Sequence, residues 1–281
     1  MDKLIITAAL TGGLHGKEAN PALPEQPREI IEDALRCREA GAAIVHLHAR
    51  DVAGKGIGDV RIFSRINEGI RERSDLVIQN TTGGTGIPVG KRMRSLDARP
   101  EMASLNMGTV VFFVEGNEAT EELPFVNLRN EIEAFAGAML ERGIKPEMEV
   151  YNPSMYGEVE NLISKGLLAE PYYVNMVMNV GGMGGYPGTA GNLVTMVEHL
   201  PPGALFNVSG VGRAQLPLNL MSIVMGGHLR VGLEDSVYYR RGELASGNAQ
   251  LVERAVRLAG ELGREVATPD EARSILGIPG P

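Results

Sequence analysis

Apolar positions follow two alternating rhythms along the chain. Short runs at Leu4–Leu10, Ile44–His48, Leu76–Asn80, Met102–Asn106, Pro146–Tyr151, Tyr172–Met178, Leu205–Ser209 and Leu229–Leu233 are bounded by polar or turn residues and read as strands. Between them, apolar residues recur at helical spacing. These segments are Arg28–Ala40, Val60–Arg73, a short basic piece at Lys91–Leu96, Leu128–Arg142, a stretch ending at Leu168, Ala190–Leu200, Pro217–Met225 and Ala249–Leu262. Gly41, Gly143, Gly226-Gly227 and Gly263 close four of them, where a left-handed residue ends a helix at no steric cost. Thr268-Pro269-Asp270-Glu271 then caps a short last helix, with proline where its missing N–H does no harm.

Strand and helix alternate through eight pairs without a linker. That predicts an α/β chain folded as one (β/α)8 TIM barrel over residues 1–281, with a short C-terminal helical extension at about 268–277. The strands read as apolar on both faces, as parallel strands buried on both sides should. A doubly wound sheet shares the alternation; the count of eight favours the barrel.

Composition narrows the class. A formal net charge of −8 argues against nucleic-acid and anionic-membrane partners, and no apolar run is long enough to span a bilayer. The first strand begins almost at Met1, with no signal peptide ahead of it. Cys37 is the single cysteine, so no internal disulfide can form, and its place in a helical pattern points to packing. The expectation is a soluble, cytoplasmic protein.

Candidate chemistry collects at the strand ends. In a barrel, the C-terminal ends of the strands face the active site. The second strand ends in Ile44-Val45-His46-Leu47-His48-Ala49-Arg50-Asp51, and alternation puts His46 and His48 on one face. The eighth carries Arg230-Val231-Gly232-Leu233-Glu234-Asp235, where alternation groups Arg230 with Glu234. Both strands flank the first in a closed barrel, so Glu234 can reach the two histidines. Two imidazoles and one carboxylate make an open three-ligand site that suits Zn²⁺ or another divalent metal and leaves room for substrate. Taken from the residues alone, Arg230 could instead balance acidic neighbours, and Glu147 could be an ordinary ion-pair partner. The runs Thr81–Gly86 and Gly181–Gly185 could cradle an anion or be plain loops; neither is followed by a phosphate-loop lysine. His199 and His228 fall away from the strand ends.

Several motifs, in order, resemble one family nearly end to end. They are Ile6-Thr7-Ala8-Ala9-Leu10-Thr11-Gly12, Lys17-Glu18-Ala19-Asn20-Pro21, Val45–Asp51, Asn80-Thr81-Thr82-Gly83-Gly84, Pro100–Asn106 and Gly226–Asp235. The chain resembles the β-keto acid cleavage enzymes, whose founding activity cleaves 3-keto-5-aminohexanoate. The resemblance implies a zinc-type metal on His46, His48 and Glu234, with Arg230 and Asp235 as catalytic arginine and base. It implies Glu147 as an acid supporting that base, Thr82 and Asn106 near the substrate carboxylate, and a homotetramer. The implied acyltransferase reaction turns a β-keto acid and acetyl-CoA into acetoacetate and a new acyl-CoA by a retro-Claisen route.

One departure bears on specificity. Family members acting on the amino-bearing substrate carry an acidic residue in the loop after the first strand. Here that stretch is Thr11-Gly12-Gly13-Leu14-His15-Gly16, without a carboxylate. The expectation is a substrate with no positive charge at its distal end: Leu14 favours an apolar acyl group, and a protonated His15 an anionic one. The alternatives are a CoA-independent metal-dependent barrel lyase or aldolase, and a non-catalytic metal-binding barrel; the presence of Asp235 speaks against the last.

Overall fold

The computed structural model describes residues 2–115 and 120–279; Met1, residues 116–119 and residues 280–281 of the expected 1–281 domain lie outside them. In chain order the elements are β1 (Ile6–Ala9), α1 (Pro27–Ala40), β2 (Ile44–Leu47), α2 (Val60–Arg71), β3 (Val77–Asn80), α3 (Val89–Met93) and β4 (Met102–Asn106). There follow β5 (Val110–Glu115), β6 (Thr120–Phe125), α4 (Arg129–Glu141), β7 (Lys145–Val150), α5 (Tyr156–Ser164), β8 (Tyr173–Met178), β9 (Gly182–Met183) and α6 (Ala190–Glu198). The chain closes with β10 (Leu205–Gly210), α7 (Gln215–Val224), β11 (His228–Val231), β12 (Tyr238–Arg240), β13 (Glu243–Leu244), α8 (Asn248–Glu261) and α9 (Pro269–Leu276).

Eight strands close into a parallel barrel in the order β1-β11-β10-β8-β7-β4-β3-β2. β1 therefore touches both β2 and β11, in registers that set Ala9 beside His46 and Thr7 beside Arg230. The helices bury their apolar stripes on the outer strand faces. Ile30, Ala34 and Cys37 of α1, Ile66 and Ile70 of α2, and Leu251, Val252 and Ala255 of α8 share one core with Val45, Ile78 and Val231. Below the barrel, Ala272 and Leu276 of α9 pack on Ile44, Val77, Met102 and Tyr173, closing the end opposite the strand termini. A buried Arg273 fastens that helix to Glu101 at 2.7 Å.

The lumen corrects one expectation. The strands are apolar outside but polar inside: Gln79 of β3 bonds Glu147 of β7, Asn207 of β10 bonds Glu147, and Arg230 of β11 reaches Glu149 of β7. None of these strand pairs are neighbours in the sheet, so each bond crosses the lumen. Polar inward residues are tolerated because they satisfy one another there.

The alternation also missed two additions. β5 and β6 form an antiparallel hairpin that β9 extends to three strands, and β12 and β13 make a small ladder. The run Val110-Val111-Phe112-Phe113-Val114 has strand composition, but it breaks the βα rhythm. It also explains the second glycine-rich run. A Cβ at Gly182, whose φ is +122°, would overlap the carbonyl oxygen of Val111, so this stretch is an edge pressed on the hairpin and no anion cradle.

Candidate active site

His46 leaves β2 into the lumen and is buried; His48 follows just beyond the strand, its ring centroid 5.2 Å away. Glu234 arrives differently from the expected alternation. β11 ends at Val231, and Gly232 (φ +153°) lies so close to β1 that a Cβ would overlap the Ala9 carbonyl oxygen. A turn follows, with Asp235 and Ser236 donating their N–H groups to the Gly232 carbonyl at 3.2 and 3.0 Å. Two residues adjacent in a strand would point to opposite faces. On this turn, Glu234 and Asp235 converge on the same guanidinium.

The Oε1 atom of Glu234 lies 3.7 Å from His46 Nε2 and 3.3 Å from His48 Nε2. Ligand atoms of the three residues all fall within 4.8 Å of one another, so the group can hold a metal ion. The donor set fits one: Glu234 Oε2 is buried with no hydrogen-bond partner. Burial, helped by Arg230 and His48 against the pull of Glu234, lowers His46 to about 3, so its ring is neutral, as a ligand must be. Burial opposes ionisation of Glu234, but the fields of Arg230, His48 and His46 outweigh it and hold the carboxyl below its ordinary range.

Arg230 is the hub beside this group. Its Nε and Nη2 donate to the two oxygens of Asp235, each at 2.9 Å, and Nη2 also donates to Glu234 Oε1 at 2.7 Å. Nη1 lies 3.5 Å from Glu149 Oε1. Burial would depress this guanidinium, yet Asp235, Glu234 and Glu149 hold its pKa well above the usual value. Asp235 is raised by burial, with Arg230 pulling the other way. Glu149 is pushed up to about 8 by burial, with the neighbouring carboxylates adding to the push and Arg230 opposing it.

Glu147 is not beside Asp235 in a hydrogen bond. Its Oε1 accepts from Asn207 Nδ2 at 2.5 Å and its Oε2 from Gln79 Nε2. Gln79 in turn holds His46 Nδ1 at 2.7 Å through its own Oε1. Sequence reasoning gave no role to Gln79 or Asn207, nor to Glu149 beyond its place in the strand Pro146–Tyr151. The available signal was register, since Gln79 pairs with His46 across β2 and β3.

Thr82 follows β3 and Asn106 ends β4, the two barrel strands next beyond β2. The Thr82 hydroxyl donates to the Ser104 carbonyl at 2.6 Å, and its N–H to Ser104 Oγ at 3.2 Å; Gly83 N–H donates to Thr81 Oγ1 at 2.9 Å. Those backbone donors of the first glycine-rich run are thus already used. Asn106 differs: Oδ1 accepts from Tyr151 at 2.9 Å, while Nδ2 is buried without a partner. Arg92, also missed, is a buried staple here, donating to the carbonyls of Thr82 and Val126 at 2.6 and 3.2 Å and to Asn127 Oδ1.

Leu14 and His15 are exposed on the loop after β1. Gly12 anchors that loop against Glu234, where a Cβ would sit 2.8 Å from Cγ. Buried Arg50 anchors it again, donating to the His15 carbonyl and to the Gly54 carbonyl at 2.8 Å. The nearest carboxylates serve the loop itself: Glu18 accepts from Gly16 N–H at 2.6 Å, and Glu25 from Lys17 N–H at 3.0 Å. Asp51 caps its own turn through the N–H groups of Ala53 and Lys55.

Three potential metal ligands and an arginine–aspartate pair thus stand together at the C-terminal mouth of the barrel, where barrel enzymes carry their active sites. The profile of the beta-keto acid cleavage enzyme family matches residues 3–278. The chain is 44% identical over 280 residues to the 3-keto-5-aminohexanoate cleavage enzyme of Fusobacterium nucleatum subsp. nucleatum, covering 99% of each chain. It is 34% identical over 277 residues to the 3-oxoadipate:acetyl-CoA acetyltransferase of Cupriavidus necator, covering 98% of this chain and 95% of that one. The apo structure of ObcA has the same fold, with a TM-score of 0.78 at 21% identity over 93% of this chain and 66% of ObcA. The chain belongs to the beta-keto acid cleavage enzyme family. It is an enzyme of acyl transfer and carbon–carbon cleavage.

Proposed function

We propose that this enzyme converts a β-keto acid and acetyl-CoA into acetoacetate and a new acyl-CoA, with Zn²⁺ held by His46, His48 and Glu234. The supporting observation is the Arg230 hub, which binds a metal-type carboxylate and the base Asp235 from one guanidinium. A divalent cation at the three ligands supplies polarisation of a carbonyl oxygen. Asp235 takes the proton from the carbon between keto and carboxylate groups, its orientation held by two N–H donors. Arg230 places positive charge where the enolate develops. That carbon attacks the acetyl thioester and expels CoA thiolate; the thiolate then attacks the original keto carbon, the bond to the new acetoacetate unit breaks, and the acetoacetate carbanion takes back the proton held by Asp235. Asn106 Nδ2, a buried donor without a partner, meets the substrate carboxylate, while Thr82, its hydroxyl and N–H both given to Ser104, shapes the wall beside it.

The distal end of the substrate carries no positive charge. Leu14 and His15 present no carboxylate, and Glu18 and Glu25 are engaged behind them. The protein is a cytoplasmic homotetramer on this reading, and α7 supports assembly with Leu216, Leu220 and Val224 exposed on one face. No helix among the described residues is long and apolar enough to cross a membrane.

The test is a panel of β-keto acids with apolar, anionic and cationic tails, incubated with acetyl-CoA and read by mass spectrometry. Acetoacetate and a matching acyl-CoA are expected from the apolar or anionic members, and only with metal and Asp235 intact. Turnover without acetyl-CoA would mean a CoA-independent lyase instead. A best rate with 3-keto-5-aminohexanoate would defeat the specificity assignment alone.

A further inference from the structure

We infer that Gln79 and Glu147 form a tautomer lock on His46: the carboxylate of Glu147 orients the Gln79 amide, and that amide commits the imidazole to metal binding through Nε2. Glu147 therefore acts on the metal ligand through Gln79, and not on Asp235. This rests on the metal reading proposed above.

The geometry is a chain across the lumen. Asn207 Nδ2 donates to Glu147 Oε1 at 2.5 Å, Gln79 Nε2 donates to Glu147 Oε2, and Gln79 Oε1 stands 2.7 Å from His46 Nδ1. All four residues are buried to within a few per cent, so water does not substitute for a missing partner. Burial pushes the Glu147 carboxyl up against the pull of Arg230, Asn207 and Gln79, but each of its oxygens accepts an amide N–H, the pattern of a carboxylate, which offers acceptors only. An amide presenting N–H to it must turn its carbonyl the other way. That carbonyl accepts and cannot donate, so His46 Nδ1 carries the proton. Nε2 is then a bare lone pair, and it is the atom that faces Glu234, 3.7 Å away. Asn207 shows how strongly Glu147 draws donors. Its amide gives Nδ2 to the carboxylate although this leaves its own Oδ1 buried and unpartnered. Outer partners of this kind fix ring orientation and raise the basicity of a metal-bound histidine. No comparable bond links Glu147 to Arg230 or Asp235; the acidic residue within reach of Arg230 is Glu149, two positions along β7.

The experiment uses the full chain with Zn²⁺ as the probe, its dissociation constant measured by competition with a chromophoric chelator. Metal-free protein labelled with ¹⁵N reports the His46 tautomer from two-bond ring correlations, in a chain with only five histidines. Gln79→Leu and Glu147→Gln are each expected to weaken Zn²⁺ binding by roughly 10–100-fold, and the paired exchange Gln79→Glu/Glu147→Gln to return within about threefold of wild type. The exchange keeps an acceptor on His46 and a donor beneath it. The single variants are expected to show mixed His46 tautomers, the wild type and the exchange a single Nδ1–H form. Thermal melts establish that each variant is folded. Folded single variants that bind Zn²⁺ within about twofold of wild type would overturn the lock, since loss of an outer partner should cost far more. So would a Glu147→Gln enzyme with lower kcat but unchanged metal affinity, which would return Glu147 to the base. Failure of the metal reading would show in the wild type itself, as no Zn²⁺ bound; failure of the lock shows only in the variants.

Discussion

His228 opens β11 at the closed end of the barrel, and its Nδ1 accepts the Ile5 N–H at 3.1 Å. That bond requires an unprotonated ring. Burial, with Arg264 adding to it, lowers the pKa to about 3. The unfolded chain binds the proton more readily, so stability is full above pH 6.5 and drains as pH falls toward 3, by at most about 5 kcal/mol. Urea titrations from pH 7 to 4 should show a steeper loss for wild type than for His228→Asn, whose Oδ1 can accept without titrating. Equal slopes would remove His228 from the acid sensitivity. At the mouth, Asp235→Asn keeps the shape but loses the base. It should lower kcat by about 10²–10⁴-fold while bound metal, measured by elemental analysis, stays at wild-type level. Loss of metal along with activity would mean that Asp235 chiefly holds Glu234 in place.

The loop that follows β11 shows what elements add to residues. Gly232 approaches Ala9 closer than any side chain allows, and the turn after it delivers Glu234 and Asp235 to one arginine. Gly232→Ala should cost about 3 kcal/mol through backbone strain and abolish Zn²⁺ binding; a melt and a metal assay on the same sample check both. The βα rhythm made the barrel legible, because each strand and helix announces itself by its own period. The histidine pair was legible from alternation along Ile44–His48, although β2 itself ends at Leu47. Glu234 was reached by alternation too, although the chain brings it in by a turn. What stayed hidden depends on partners distant in sequence. Gln79 is an ordinary strand-end glutamine until β2 and β3 align, and the hydrogen bonds that Gln79 and Asn207 give to Glu147 come from strands far apart in sequence. The β5–β6 hairpin carries a plain apolar run, but eight strands had already satisfied the count.

At the scale of the molecule, the loop after β1 and the His46, His48 and Glu234 group share one end of the barrel, while α7 turns an apolar stripe outward. Leu216, Leu220 and Val224 stand 38%, 41% and 60% exposed along α7, a stripe that water does not favour. Leu220→Glu should shift the mass measured by light scattering from tetramer toward smaller species, with the far-ultraviolet spectrum unchanged. A monomeric wild type would dismiss the tetramer.

The loop from Thr11 to Gly16 is held at two points that do not involve its outward side chains: Gly12 rests on Glu234, and the His15 carbonyl hangs from Arg50. Residues 13–15 can therefore be exchanged while the backbone path survives. If the loop selects the acyl chain as proposed, a lineage could change its diet of acyl chains by editing two or three codons, leaving the bond-breaking apparatus as inherited. An engineer can use the same seam, grafting a carboxylate at position 14 to recruit cationic substrates.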